Sequence, residues 1–151
     1  MLRMDLLLRP VRRQDLSALI SLLDQLGYPT TESELDARLD YWLEDPASWL
    51  IGAEDGGSLI GVAALHVLPI LEKTGKFGRL LALVVEEQYR GRGVGRMLVT
   101  AIEDQARAVG CLAMELNSSR HRTETHIFYQ HLGYEDACVE KARFYKSLTD
   151  A

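Results

Sequence analysis

Arg90-Gly91-Arg92-Gly93-Val94-Gly95-Arg96 stands between the apolar run 80–85 and an amphipathic segment that begins at Val94. A strand, a glycine-rich turn and a helix start in that order make a place to hold phosphate. The turn and the helix start leave backbone N–H groups without partners, and the helix end carries about half a positive charge. Glycine has no Cβ to block a bulky anion and adopts positive φ at little cost. Arg90, Arg92 and Arg96 add full charges beside it.

The spelling of the turn excludes two common phosphate ligands. A mononucleotide loop needs Gly-Lys-Ser/Thr, so that lysine reaches the terminal phosphates and the hydroxyl holds magnesium, but Gly95 is followed by Arg96-Met97. A dinucleotide fingerprint needs a third glycine three positions after the second and an acid about twenty residues further on. Arg96 and the apolar stretch 111–116 occupy those places.

Working outward, three more stretches carry information. Leu83-Val84-Val85-Glu86-Glu87-Gln88-Tyr89 leads into the turn, Phe128-Tyr129-Gln130-His131-Leu132-Gly133-Tyr134-Glu135 follows it at a distance, and Leu8-Arg9-Pro10-Val11-Arg12-Arg13-Gln14-Asp15-Leu16 opens the chain. The turn matches the pattern Arg or Gln, two residues, Gly, one residue, Gly or Ala. With these flanks it resembles the acetyl-CoA-binding motif of the GNAT superfamily of N-acetyltransferases. The resemblance covers nearly the whole chain and implies a GNAT fold of class α/β (α+β). That fold has a central mixed, mostly antiparallel sheet of six to seven strands flanked by about four helices, in a single domain over residues 1–151.

The local pattern gives the elements. Residues 6–9 form a strand stopped by Pro10, and Asp15 caps a helix carrying Leu16, Leu19, Ile20, Leu23 and Leu26, which Gly27-Tyr28-Pro29 ends. A second helix runs over 32–44 with acids in its first turn. Strands 49–53 and 59–67 flank Glu54-Asp55-Gly56-Gly57 as a hairpin, and strand 77–85 enters the glycine turn. Apolar residues from Val94 to Val109 recur at helical spacing up to Gly110, followed by a strand at 112–116 and a helix at 122–132. Residues 138–148 supply the last strand or two.

Composition narrows the function classes. A chain of 151 residues with 47% apolar side chains is an ordinary soluble domain, and its net charge of −5 argues against a general nucleic-acid binder. No run approaches the eighteen or so apolar residues of a membrane span. The start has an acid, Asp5, directly before its apolar trio Leu6-Leu7-Leu8 and no small-residue cleavage site, so it is not read as a secretory signal. Cys111 and Cys138 have no metal or redox spacing and read as reduced core thiols of a cytoplasmic protein. His121, Glu124 and His126 fit no standard metal site, so no metal is expected.

The resemblance implies a chemistry. Acetyl-CoA is the cosubstrate, with its pyrophosphate on Arg90, Gly91, Arg92, Gly93, Val94, Gly95 and Arg96. Its pantetheine pairs with the backbone of Leu83, Val84 and Val85, and the Val85 N–H faces the thioester oxygen. Tyr129 stands at the family's tyrosine near the CoA sulfur, where a phenol protonates the leaving thiolate. Asn117 and Arg122 leave a strand and enter a helix, within reach of pantetheine or phosphate. For the base, the family's common glutamate on the fourth strand, six residues before Val85, is replaced by Arg79. Glu115 resembles the fifth-strand glutamate of another branch and is the favoured base, with Glu87, Glu124, His126 or a water chain as alternatives.

The acceptor is read as a small-molecule primary amine. The loop between the first two helices and the second helix hold Tyr28, Glu32, Glu34, Asp36, Asp40, Tyr41, Trp42, Glu44 and Asp45 against Arg38, an acidic and aromatic wall that suits a cation. A solvated acidic helix face explains the same carboxylates. Residues 119–129 are similar to aminoalkylphosphonate and aminoglycoside acetyltransferases. The alternatives are a protein lysine or N-terminal acetyltransferase, and a non-catalytic acetyl-CoA-binding regulatory module. Dimers are common in the superfamily, and no sequence feature decides whether this chain is a homodimer.

Overall fold

The computed structural model describes residues 4–149, in two compact units that divide between Asn117 and Ser118. The first unit holds five strands, β1 (Leu6–Pro10), β2 (Ser48–Asp55), β3 (Ser58–Pro69), β4 (Lys76–Val85) and β5 (Cys111–Leu116), adjacent in that order. All neighbours are antiparallel except β4 and β5, which are parallel. A parallel pair needs a crossover, and helix α3 (Val94–Ala108) supplies it. Helices α1 (Leu16–Leu26) and α2 (Glu32–Glu44) lie between β1 and β2 in the chain.

Helices cover both faces of the sheet. Val62 and Val84 pack with Leu19 and Leu22 of α1 and Leu35 and Leu39 of α2. On the other face a Cβ at Gly61 would lie 3.0 Å from Leu98 Cδ1 and one at Gly78 3.4 Å from Ala106 Cβ, so α3 rests close against bare backbone. Val94, Leu98, Ile102 and Ala106, each four residues on, form its buried stripe. Covered on both sides, β3 is buried continuously from Leu59 to Leu65 and so lacks the alternation of a half-exposed strand.

Three register shifts adjust the sheet, one of them at Leu112 of β5, which is left over between the pairs Lys76–Cys111 and Phe77–Ala113. Ala53 faces Gly61 while Glu54 faces Leu59, which leaves Ile60 as an extra residue in β3. Ala64 faces Ala82 while Leu65 faces Leu80, which leaves Leu81 extra in β4. Gly78 and Val84 are an even number of residues apart yet face opposite sides, and the Leu81 bulge switches the parity.

The second unit holds α4 (Thr123–His131) and a short 3-10 turn, Ala137–Val139. Residues 140–149 form no strand, so the sheet has five strands among the described residues and not six or seven. A strand exists only by pairing, and this segment joins no ladder: Phe144 is 95% and Leu148 92% exposed. Cys138 is exposed in the turn, contrary to a core thiol, while half-buried Cys111 has its thiol pushed up by burial. Asp15 holds the N-cap position of α1, as expected, but its side chain makes no capping bond. Arg9 takes its carboxylate with two 2.8 Å bonds, and the Arg12 N–H donates to it at 2.7 Å. This pairing, led by Arg9, holds Asp15 below the usual carboxylate range. The capping box belongs to α2, where Thr31 and Glu34 satisfy each other's N–H groups.

Candidate functional site

The glycine turn follows β4 after a 3-10 turn, Glu87–Tyr89. Gly91 and Gly93 have φ of +73° and +85°, and a Cβ on either would meet nothing within 4 Å. Glycine is therefore required there by backbone conformation, and the space around it is open. Gly93 is the N-cap of α3 and offers no side chain to its first N–H groups. The Tyr89 hydroxyl donates to Asp55 Oδ2 at 2.6 Å, and the Glu87 N–H donates to Gln25 Oε1 at 2.9 Å. The turn is thus tied to the β2–β3 hairpin and to the end of α1. Bonding to Tyr89 keeps Asp55 below the ordinary carboxylate range, and the phenol is correspondingly raised.

The strand feeding the turn has a bare edge. Pairing of β4 with β5 runs from Lys76 to Leu80, opposite Cys111 to Leu116, and stops there. Residues 81–85 keep β3 on one side and, among the described residues, have no strand on the other. The Glu86 N–H donates to Ile60 O, which makes the next pair, Val85 with Gly61, a non-hydrogen-bonded one. By alternation the N–H groups of Val85 and Leu83 point away from β3, towards the bare edge. The Val85 carbonyl on that edge accepts from Arg90 Nε at 3.0 Å. Val84 points its backbone at β3 and its side chain into the core. Arg92 stacks over Tyr89, with Cζ 5.3 Å from the ring centre, and Arg96 is exposed in the first turn of α3.

Glu115 is half-exposed and ion-paired with Arg79, its register partner across β4 and β5. The residue in the family's glutamate position thus binds the alternative glutamate. Asn117 ends the first unit, just past the end of β5.

In the second unit Arg122 is the N-cap of α4, and Tyr129 lies in its last turns. The Tyr129 ring meets Phe128 and Tyr134 edge-on at 5.1 and 5.8 Å. Gly133, at φ +93°, turns the chain so that the Tyr134 N–H reaches Tyr129 O. The Phe-Tyr and Leu-Gly-Tyr elements are therefore one aromatic cluster. Burial raises the Tyr129 phenol above its ordinary value, and Arg122 opposes the shift. His126 Nε2 bonds Ser119 O at 2.9 Å.

The acidic wall carries more counter-charge than the sequence count suggests. Arg13, from the turn before α1, pairs with Asp36 and Asp40 at 2.6 Å each. An open hollow lies beside it, lined by Gly27, Tyr28, Pro29, Thr30, Glu34 and Arg38. Tyr41 meets Trp42 edge-on at 6.2 Å. Asp45, Ser48 and His66, which sequence reading did not connect, are joined by hydrogen bonds. The available signal was the hairpin register. Among the described residues no helix is long and apolar enough to cross a membrane, and no three potential metal ligands cluster.

The model of the acetyltransferase (GNAT) family matches residues 16–134. The chain belongs to that family and by class is an acyltransferase, an N-acetyltransferase. It is 24% identical over 132 residues to glucosamine 6-phosphate N-acetyltransferase of Arabidopsis thaliana, covering 83% of this chain and 87% of that one. It is 32% identical over 92 residues to aminoalkylphosphonate N-acetyltransferase of Salmonella typhimurium, covering 61% and 58%. The fold matches a solved aminoglycoside N-acetyltransferase in complex with CoA at a TM-score of 0.85 and 21% identity, over 98% of each chain.

Proposed function

We propose that the protein transfers the acetyl group of acetyl-CoA to the primary amine of a small molecule by direct attack. One observation carries this reading: from Leu81 to Val85 one edge of β4 is bare, and a short 3-10 turn leads from it to a helix start preceded by two positive-φ glycines. The bare edge offers the Val85 N–H to an amide of pantetheine and, further from the turn, the Leu83 N–H to its thioester. The turn residues Gly91, Gly93, Val94, Gly95 and Arg96 offer backbone N–H groups to the pyrophosphate, with Arg92 charge beside them. A chain of alternating amides ending in a diphosphate fits that sequence of donors. Asn117 and Arg122 are assigned to pantetheine or phosphate.

With the diphosphate on the turn, the thioester lies at the far end of pantetheine, so its oxygen is assigned to the Leu83 N–H rather than to Val85, and one such donor is worth on the order of 10²–10³ in rate. As the amine nitrogen bonds to the carbonyl carbon and the C–S bond breaks, the thiolate takes a proton from Tyr129. A phenol raised by burial keeps that proton until the thiolate appears. Glu115 is held by Arg79, and accepting a proton would break that pair. Its part in this reading is to hold the guanidinium at the end of the β4–β5 pairing.

A small-molecule acceptor is supported by the relatives, whose names specify amino sugars and aminoalkylphosphonates. The two sequence relatives act on amines that carry a phosphorus oxyanion. The test is release of CoA thiol with amino sugar phosphates, aminoalkylphosphonates, aminoglycosides, polyamines and lysine peptides, alongside calorimetry with acetyl-CoA. Turnover on a small amine is the expected result. Turnover on peptides alone would make the protein a lysine or N-terminal acetyltransferase. Tight acetyl-CoA binding without turnover on any amine would make it a regulatory module.

A further inference from the structure

Ser48, His66, Arg79 and Glu115 stand at one register position on β2, β3, β4 and β5. His66 is four residues from Val62 in an unbroken stretch of β3, so it shares the sheet face that α1 and α2 cover. The row lies one residue short of the point where β4 and β5 part. Its members are connected in two groups. Arg79 pairs with Glu115, and Ser48 Oγ lies 2.5 Å from Asp45 Oδ2 and 2.9 Å from His66 Nδ1.

The protons of the second group can be assigned. Ser48 bonding, then desolvation in opposition, leaves Asp45 below the ordinary carboxylate range, so at neutral pH it is an anion that can only accept. Ser48 has one proton, and since an anionic carboxylate only accepts, the Ser48 hydroxyl donates that proton to Asp45. The hydroxyl oxygen must then accept from His66, so Nδ1 carries a hydrogen. In a neutral imidazole Nε2 is therefore the bare nitrogen. Among the described residues nothing hydrogen-bonds to it, and the His66 side chain is 29% exposed. Ser48 is itself 7% exposed, a polar group in the core whose hydroxyl is fully committed.

We propose that Asp45 and Ser48 hold His66 as the proton acceptor for the incoming amine. The proposal rests on the acetyltransferase reading above. His66 Nε2 takes one proton from the acceptor ammonium, giving imidazolium and a free amine. The amine bonds to the thioester carbon, the C–S bond breaks, and Tyr129 protonates the thiolate. The second proton of the nitrogen restores the Tyr129 phenol through solvent, and the imidazolium returns its proton to solvent. Ser48 and Asp45 are positioning residues that act through His66. Arg79 and Glu115 face His66 from β4 and β5, and their pairing leaves the carboxylate to the guanidinium and the amine proton to the imidazole.

Nitrogen-15 NMR of the histidine-labelled full chain, without ligand and at a pH well above the ordinary imidazole range, reads the tautomer directly. The His66→Gln spectrum assigns the resonance. His66 should show a protonated Nδ1 and a bare Nε2, and Ser48→Ala should move it to the Nε2–H form favoured by free imidazole. A bare Nδ1 in the unmutated chain overturns the proposal whatever the activity. In turnover, His66→Gln should lower kcat on the best amine by about 10²–10⁴ with the KM for acetyl-CoA unchanged within about twofold. Ser48→Ala should lower kcat about tenfold. Retained acetyl-CoA binding by calorimetry shows that each variant is folded. Full turnover by a folded His66→Gln overturns the relay alone, whereas no turnover by the unmutated chain on any amine overturns the acetyltransferase reading itself.

Discussion

The glycine turn and the polar row of the sheet are both built on β4, but they are specified in different ways. The turn is local: Arg90 to Arg96 are consecutive, and Gly91 and Gly93 sit in the conformations their residue type favours. The row is assembled by pairing, from residues 18, 13 and 36 positions apart across four strands. A contiguous site can be read from spelling, but a paired one exists only once the register is known. In the proposed function the cosubstrate-binding turn is of the first kind, and the group that takes the proton of the amine is of the second.

The largest effect expected is on Tyr129, whose identification rests on consecutive residues. Tyr129→Phe should lower kcat by about 10²–10⁴ with little change in acetyl-CoA affinity, read by steady-state kinetics. An unchanged kcat would remove the phenol from the chemistry.

The next effect sharpens the paired kind of site away from the chemistry. Arg9 holds Asp15 and Glu54, and the Arg9 and Asp15 side chains are each 11% exposed. Asp15→Asn should cost about 2 kcal/mol in urea unfolding at neutral pH. Because Asp15 is held below its unfolded value of about 3.9, its contribution is full above that pH and lost as pH falls through the folded value. The variant should lose less stability than the unmutated chain over that acid window. Equal slopes would mean that the pair adds nothing.

Gly93→Val breaks the local site by conformation alone, since its Cβ meets no neighbour at φ +85°. It should cost about 1–2 kcal/mol and raise the KM for acetyl-CoA about tenfold, against an unchanged kcat. The smallest effect is expected for Glu115→Gln, an exposed pair, at under about 1 kcal/mol in stability and about threefold in kcat. A loss of about a hundredfold or more would restore Glu115 as the base and break the division of labour in the row.

Much of the fold was legible because the first unit follows local rules. Helix α2 runs from Glu32 to Glu44 as its pattern predicts, and α3 starts at Val94. The two edges of legibility have physical causes. Residues 138–148 carry strand-like apolar side chains, yet a strand needs a partner that composition does not name. Asp15 has the right residue type for a helix cap, and a guanidinium forty-five positions from Glu54 on the same network outbids the backbone. The wall on α2 read as unbalanced acid because Arg13, which neutralises Asp36 and Asp40, lies in another segment. For the site, the turn and its bare edge followed from consecutive residues, whereas Asp45, Ser48 and His66 stayed unconnected. Counting back from the hairpin tip without a bulge sets Ser48 opposite Leu65.

The bulge at Ile60 therefore has a bearing on what changes the family can accept here. Ile60 is the residue without a partner, so deleting it would close the ladder from the Glu54–Leu59 pair straight to Ala53–Gly61 and leave Ser48 opposite His66. Removing Leu81 would likewise leave Arg79 in line with His66. Each bulge is therefore one residue of slack in the sheet, and the row survives the loss of that residue.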